Sequence, residues 1–93
     1  MDDERWIAAA LDGDESAFVA WYDATAPAVV RLAWTVSPDV HAVEELVQET
    51  YAVAWRRLRS VRLVDGSALP WLLRTCRNLA LNRDRKAARR GEV

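Results

Sequence analysis

At 93 residues, 52% hydrophobic and 29% charged, the chain has apolar material for one small domain, which excludes a multi-domain arrangement. Its single cysteine excludes an internal disulfide. The acidic start and the lack of any long apolar run exclude a leader peptide or membrane span, so a soluble, cytoplasmic protein with no membrane partner is expected. The formal net charge of −1 balances unlike halves: residues 1–50 carry eleven acids against two arginines, and residues 51–93 carry eleven bases against three acids. Such asymmetry points to nucleic-acid or membrane contact.

Alanine, leucine, valine and arginine dominate, glycine and proline are scarce, and no period-two alternation is sustained. Helices are therefore predicted throughout, and the fold class is all-α, a compact bundle of about four helices. The first spans Asp3–Leu11 and ends at Asp12-Gly13, where glycine can take the left-handed conformation that closes a helix. Asp14 caps the second, the central core element, which carries Phe18, Trp21, Tyr22, Val29, Leu32, Ala33 and Val36 at three- and four-residue intervals. Pro27 is expected to kink or interrupt it near Ala26.

Ser37-Pro38-Asp39 reads as a stop and restart, with serine as cap and proline in the first position of a third helix over Pro38–Leu58. Its predicted buried stripe is Val43, Leu46, Val47, Thr50, Val53, Ala54 and Leu58, with Tyr51 at the edge. Its outer face is Glu45, Gln48, Glu49, Ala52, Trp55 and Arg56. A tryptophan among polar neighbours suits a surface that receives another protein's helix; the alternative is an indole lying flat over arginine stems.

Residues 59–66, a basic loop containing Arg62, close at Asp65-Gly66, and Ser67 is placed to cap the last helix with Pro70 inside its first turn. At 100° per residue, Leu72, Cys76, Leu79 and Ala80 of that helix form an apolar stripe, which makes Cys76 a core filler. Trp71, Arg74, Thr75, Asn78, Asn82, Arg85 and Arg89 share the opposite side. An aromatic platform, amides and guanidiniums are the groups that stack on bases, read base edges and neutralise phosphates, so nucleic acid is the expected partner. The arginine-rich end from Arg83 is expected to fray unless bound.

No enzyme is indicated. His41 is the only histidine, Cys76 lies on the buried stripe, and there is no glycine-rich phosphate loop or metal-ligand cluster, so no cofactor is expected. Glu44, Glu45 and Glu49 read as a solvated helix surface, as does His41.

Three motifs carry a family resemblance. VEELVQETYAVAW followed by PWLLRTCRNLALNR resembles region 2 of bacterial sigma factors of the extracytoplasmic-function group, and GDESAFVAWYDATAPAVVRLAW is similar to that group's opening helices. The resemblance implies an all-helical module that holds the clamp helices of the largest subunit of core RNA polymerase. It also implies capture of the melted non-template strand of the minus-ten promoter element, with an anti-sigma factor as a possible further partner. It implies that Glu45, Gln48, Glu49, Ala52, Trp55 and Arg56 face polymerase. Trp71, Arg74, Asn78 and Asn82 would line the strand-binding surface, with Asn78 reading a base and residues 60–69 forming the pocket for it. Two departures stand out. The family's second helical domain, region 4, is absent from these 93 residues, as in an excised domain or a truncated protein. The loop Val61-Arg62-Leu63-Val64-Asp65 lacks the family's usual phenylalanine and small polar residues, which leaves base preference at the pocket open. Two rival readings remain: a helical adaptor that binds polymerase or an anti-sigma partner without reading DNA, and a duplex binder whose last helix enters the major groove.

Overall fold

The computed structural model describes residues 2–91 and contains four α-helices: α1 (Asp3–Leu11), α2 (Glu15–Thr35), α3 (Val40–Arg56) and α4 (Leu69–Arg89). A 3₁₀ turn over Leu58–Ser60 follows α3. Short connections make α1 and α3 each antiparallel to α2: Phe18 near the start of α2 meets Trp55 at the end of α3, while Val30 and Trp34 lie beside Val40 and Val43. The all-α bundle expected from the sequence is the fold observed.

Two carboxylates start the long helices. Asp14 accepts from the backbone N–H groups of Ser16 and Ala17, and the Ser16 hydroxyl, first among these contacts, holds its carboxyl below the usual aspartate value. Asp39 accepts from the N–H of Ala42 at 2.9 Å. This corrects the expected start of the third helix: Asp39, extended at φ −155°, is the cap, and Ser37 and Pro38 lie outside it. The helix also ends two residues earlier than expected, at Arg56. Of the two outcomes expected at Pro27, interruption does not occur: α2 runs unbroken over Glu15–Thr35. Pro27 and Asp23 are both exposed, so the carbonyl left without an N–H partner faces solvent instead of the core.

The core is built where α2 faces α3 and α4. Trp21, Val29 and Ala33 of α2 pack with Leu46, Val47 and Ala54 of α3 and with Leu72, Cys76 and Ala80 of α4. An aromatic chain runs along the α2–α3 seam. Tyr22 tilts on Tyr51 (ring centroids 4.5 Å apart), Trp21 meets Tyr51 edge-on at 6.1 Å, and Phe18 stands edge-on to Trp21 at 5.5 Å and to Trp55 at 4.9 Å. Each such contact adds about 0.5–1.5 kcal/mol beyond burial.

Tyr51, expected at the edge, is 5% exposed, and Val53, expected inside, is half-buried; the seam admits the larger side chain. The Thr25 hydroxyl donates to the carbonyl of Trp21 at 2.8 Å, so at the 2.6 Å contact between Thr25 and Tyr51 it is the phenol that donates. Burial pushes the Tyr51 pKa up to about 12. Cys76 is fully buried, as the apolar stripe implied, and burial raises its thiol pKa.

Tyr51→Phe deletes one buried donor and leaves Thr25 its bond to Trp21, so it is expected to cost about 1 kcal/mol in urea unfolding. Trp21→Ala, which empties a site 1% exposed, is expected to cost about 3–5 kcal/mol in the same assay.

Candidate functional site

The segment leading into α4 is more ordered than a plain loop. Val64 and Ser67 exchange two backbone hydrogen bonds, at 2.9 and 3.0 Å, across Asp65 (φ 52°) and Gly66 (φ 78°). Two successive positive φ values define a type I′ turn, for which Asp-Gly is a favoured pair. Helix α4 begins at Leu69 with Pro70 in its first turn, as expected, but Ser67 is not its cap: Ala68 holds that position, without a side-chain cap. Ser67 Oγ accepts from the N–H of Leu69 at 3.1 Å, and the N–H of Ala68 donates to Asp3 Oδ2 at 2.7 Å, a bond linking residues 65 apart in sequence.

Along α4, Arg74, Asn78, Asn82, Arg85 and Arg89 are exposed, and none has a side-chain hydrogen-bond or ion-pair partner among the described residues. Trp71 and Thr75 are half-buried: the Trp71 ring packs against the core cluster, and the Thr75 hydroxyl donates back to the Trp71 carbonyl at 2.9 Å. Arg62 is exposed just ahead of the type I′ turn. A cleft of about 340 Å³ gathers Asn82, Arg85 and Arg89 with Arg83 and Lys86, whereas Arg62, Trp71, Arg74, Thr75 and Asn78 lie outside it. The acid Glu49 of α3 also lines this cleft, so the outer faces of α3 and α4 meet there.

On α3, Glu45, Gln48, Glu49, Ala52, Trp55 and Arg56 are all exposed. Trp55 is 46% exposed, stands perpendicular to the Phe18 ring, and shares a shallow groove with Arg56, Arg57 and Arg59. Glu45 pairs with exposed His41 at 2.8 Å, a surface contact worth a few tenths of a kcal/mol when the imidazole is charged.

The chain matches the sigma-70 region 2 family model over residues 10–90. The chain belongs to that family. Among curated relatives, the extracytoplasmic-function RNA polymerase sigma factor SigK of Mycobacterium tuberculosis is 38% identical over 72 residues, covering 77% of this chain. The SigK of Mycobacterium ulcerans is 36% identical over 73 residues, covering 78%. A probable RNA polymerase sigma factor of Xanthomonas campestris, RfaY, is 40% identical over 52 residues, covering 56% of this chain and 13% of its own. The chain spans 38% of the length of the M. tuberculosis SigK and 39% of that of M. ulcerans. No solved structure matches. Sigma factors are non-enzymatic initiation factors, so this region 2 domain is not an enzyme. Among the described residues no helix is long and apolar enough to cross a membrane.

Three features of this region 2 domain escaped the sequence reading. Asp3 reaches the start of α4. Arg83, counted among arginines expected to fray, donates to the carbonyl of Val36, to Ser37 Oγ at 3.1 Å and to Asp84 at 3.2 Å, fastening α4 to the end of α2. Trp34 is 52% exposed beside Val40 in a shallow groove of about 330 Å³ between α2 and α3. Only the last had a local signal: Val30 and Trp34, four residues apart, lie off the Val29–Ala33 stripe.

Arg83→Gln is expected to cost about 1 kcal/mol in urea unfolding, because the α2 carbonyl loses a charged donor. Arg85→Gln, two residues along and without a partner, is expected to stay within about 0.5 kcal/mol.

Proposed function

We propose that this domain binds core RNA polymerase through the outer face of α3. On α4 it captures unpaired non-template bases of the minus-ten promoter element, acting in the cytoplasm as one step of transcription initiation. The observation that carries the reading is the row of uncommitted side chains on α4. Arg74, Asn78, Asn82, Arg85 and Arg89 neither pack the core nor pair with each other, which leaves three like-charged guanidiniums and two amides in line with their hydrogen-bonding groups open to a ligand. Membership in the sigma-70 region 2 family supports the same partners.

The division of labour follows from group chemistry. Trp71, braced from behind by the core, supplies a stacking surface whose position does not drift; the Asn78 amide offers a donor and an acceptor to one base edge; the arginines hold phosphates. Extruding a base costs a few kcal/mol, and stacking on an aromatic ring returns about 1–3 kcal/mol, so the two nearly cancel. The free domain therefore binds weakly, and polymerase tips the balance by holding the strand against α4. Polymerase meets Trp55 as a central anchor with Gln48 and Ala52 beside it, and an anti-sigma factor would compete for the same indole.

Fluorescence competition between single-stranded and duplex promoter-like and scrambled oligonucleotides, with and without core polymerase, tests the reading. Preference for one single strand, strengthened by polymerase, is expected. Preference for duplex would replace it with a major-groove binder, and polymerase binding without any DNA binding would replace it with an adaptor. Asn78→Ala should weaken the preferred strand by about tenfold and the scrambled strand little, whereas Arg85→Ala should weaken both and lower the salt slope. Trp55→Ala should reduce polymerase binding by at least about tenfold, with circular dichroism unchanged.

A further inference from the structure

We infer that Asp3 is a positioning residue for base capture: its carboxylate fixes the junction between the type I′ hairpin and α4, and thereby the place of the hairpin relative to Trp71. This inference rests on the nucleic-acid reading above.

Asp3 is 0% exposed, and Ala68, which donates to it, is fully buried as well. A buried carboxylate is costly unless something demands it, and its position supplies the demand. At the start of α4 Pro70 has no N–H, Leu69 donates to Ser67 Oγ, and the Ala68 N–H donates to Asp3 Oδ2. The carboxylate also sits at the positive end of the α4 dipole, where negative charge is favoured. Its other oxygen, Oδ1, is buried with no partner, so the group is held there by this single bond and the helix field.

The consequence lies on either side of Ala68. Ser67 closes the type I′ turn through its two backbone bonds with Val64, and Trp71 is three residues beyond Ala68. Those two turn bonds are internal to the hairpin, and the Leu69 bond is local as well. Asp3 Oδ2 accepts a long-range hydrogen bond that registers this junction against α1. Residue 3 lies outside the residues matched by the family model, so the comparison assigns it nothing.

The test uses the full chain bound to core polymerase. A short random-sequence single-stranded DNA pool is enriched on the wild-type complex, and the selectivity is the affinity for the winning sequence divided by that for the unselected pool. Asp3→Ala is expected to lower this ratio about tenfold, while Asp3→Asn, whose amide oxygen can accept the same bond, is expected to keep it within about twofold. A purely structural role would reduce the folded fraction and weaken both DNAs by one common factor, leaving the ratio unchanged, and that result overturns the inference. If the wild-type complex enriches no sequence, the nucleic-acid reading itself falls. The anchoring is then judged by amide exchange in the free chain. Faster exchange at Val64 and Ser67 in Asp3→Ala, beyond any change at core Ala54, upholds it; equal exchange at all three overturns it.

Discussion

The turn of α2 from Trp21 to Thr25, pressed against Tyr51 of α3, is the contact on which the rest of the domain depends. A chain this short buries a limited share of its surface, so its stability must be concentrated in a few large side chains. Trp21 and Tyr51 supply that bulk, and the phenol–threonine–carbonyl relay ends the polar tip of Tyr51 on a helix backbone. Once this seam is closed, the inward stripe of α3 is consumed, and the remaining residues of α3 face out. Trp55 is the last link of the aromatic chain. It packs perpendicular to Phe18 on one side and meets solvent on the other, so the same packing that stabilises the bundle also holds a half-exposed indole in place.

Charge is arranged on a second principle. The helices lend each other their ends: an acid of α1 serves the amino end of α4, and a base of α4 serves the carboxyl end of α2. These two bonds lie on α4 fifteen residues apart, near the start and in the last third of a 21-residue helix. The exposed cations between and beyond them are thus presented on a helix tethered at both places. Glu49 tempers the distal part of that surface, since it contributes a negative charge to a cleft whose other charged lining residues are bases. A face that is basic in sequence is in space basic with one acidic edge, adjoining α3.

Much of this was legible in the sequence because a helix is a local object. The boundaries of α1, the Asp14 cap, the Asp65-Gly66 turn and the separation of inner and outer faces on α3 and α4 all follow from residues within a few positions of each other. What was not legible depends on contacts between elements. Nothing near Asp3 or Arg83 in sequence indicates a partner 65 or 47 residues away. Tyr51 looked marginal on a helical wheel because a wheel does not show that α2 places two aromatic rings and a threonine opposite it. Pro27 looked like a breaker because the rule concerns the lost hydrogen bond, and here the orphaned carbonyl faces water. The cap of α3 was misplaced by two residues because serine and aspartate both qualify locally; Ser37 is occupied instead by Arg83. For the candidate site, the row of exposed α4 residues was legible from periodicity, whereas its meeting with Glu49 was not.

The two-residue turn at Asp65-Gly66 has a consequence for how such a domain diversifies. Backbone geometry there is set by two positive φ angles and two ladder bonds, while the side chains of Arg62, Leu63 and Val64 take no part in either. Arg62 and Val64 also stand largely in solvent. The hairpin therefore behaves as a cassette. The side chains of Arg62 and Val64 are free to vary while its frame, held through the amide of residue 68, stays in register with the helix that follows.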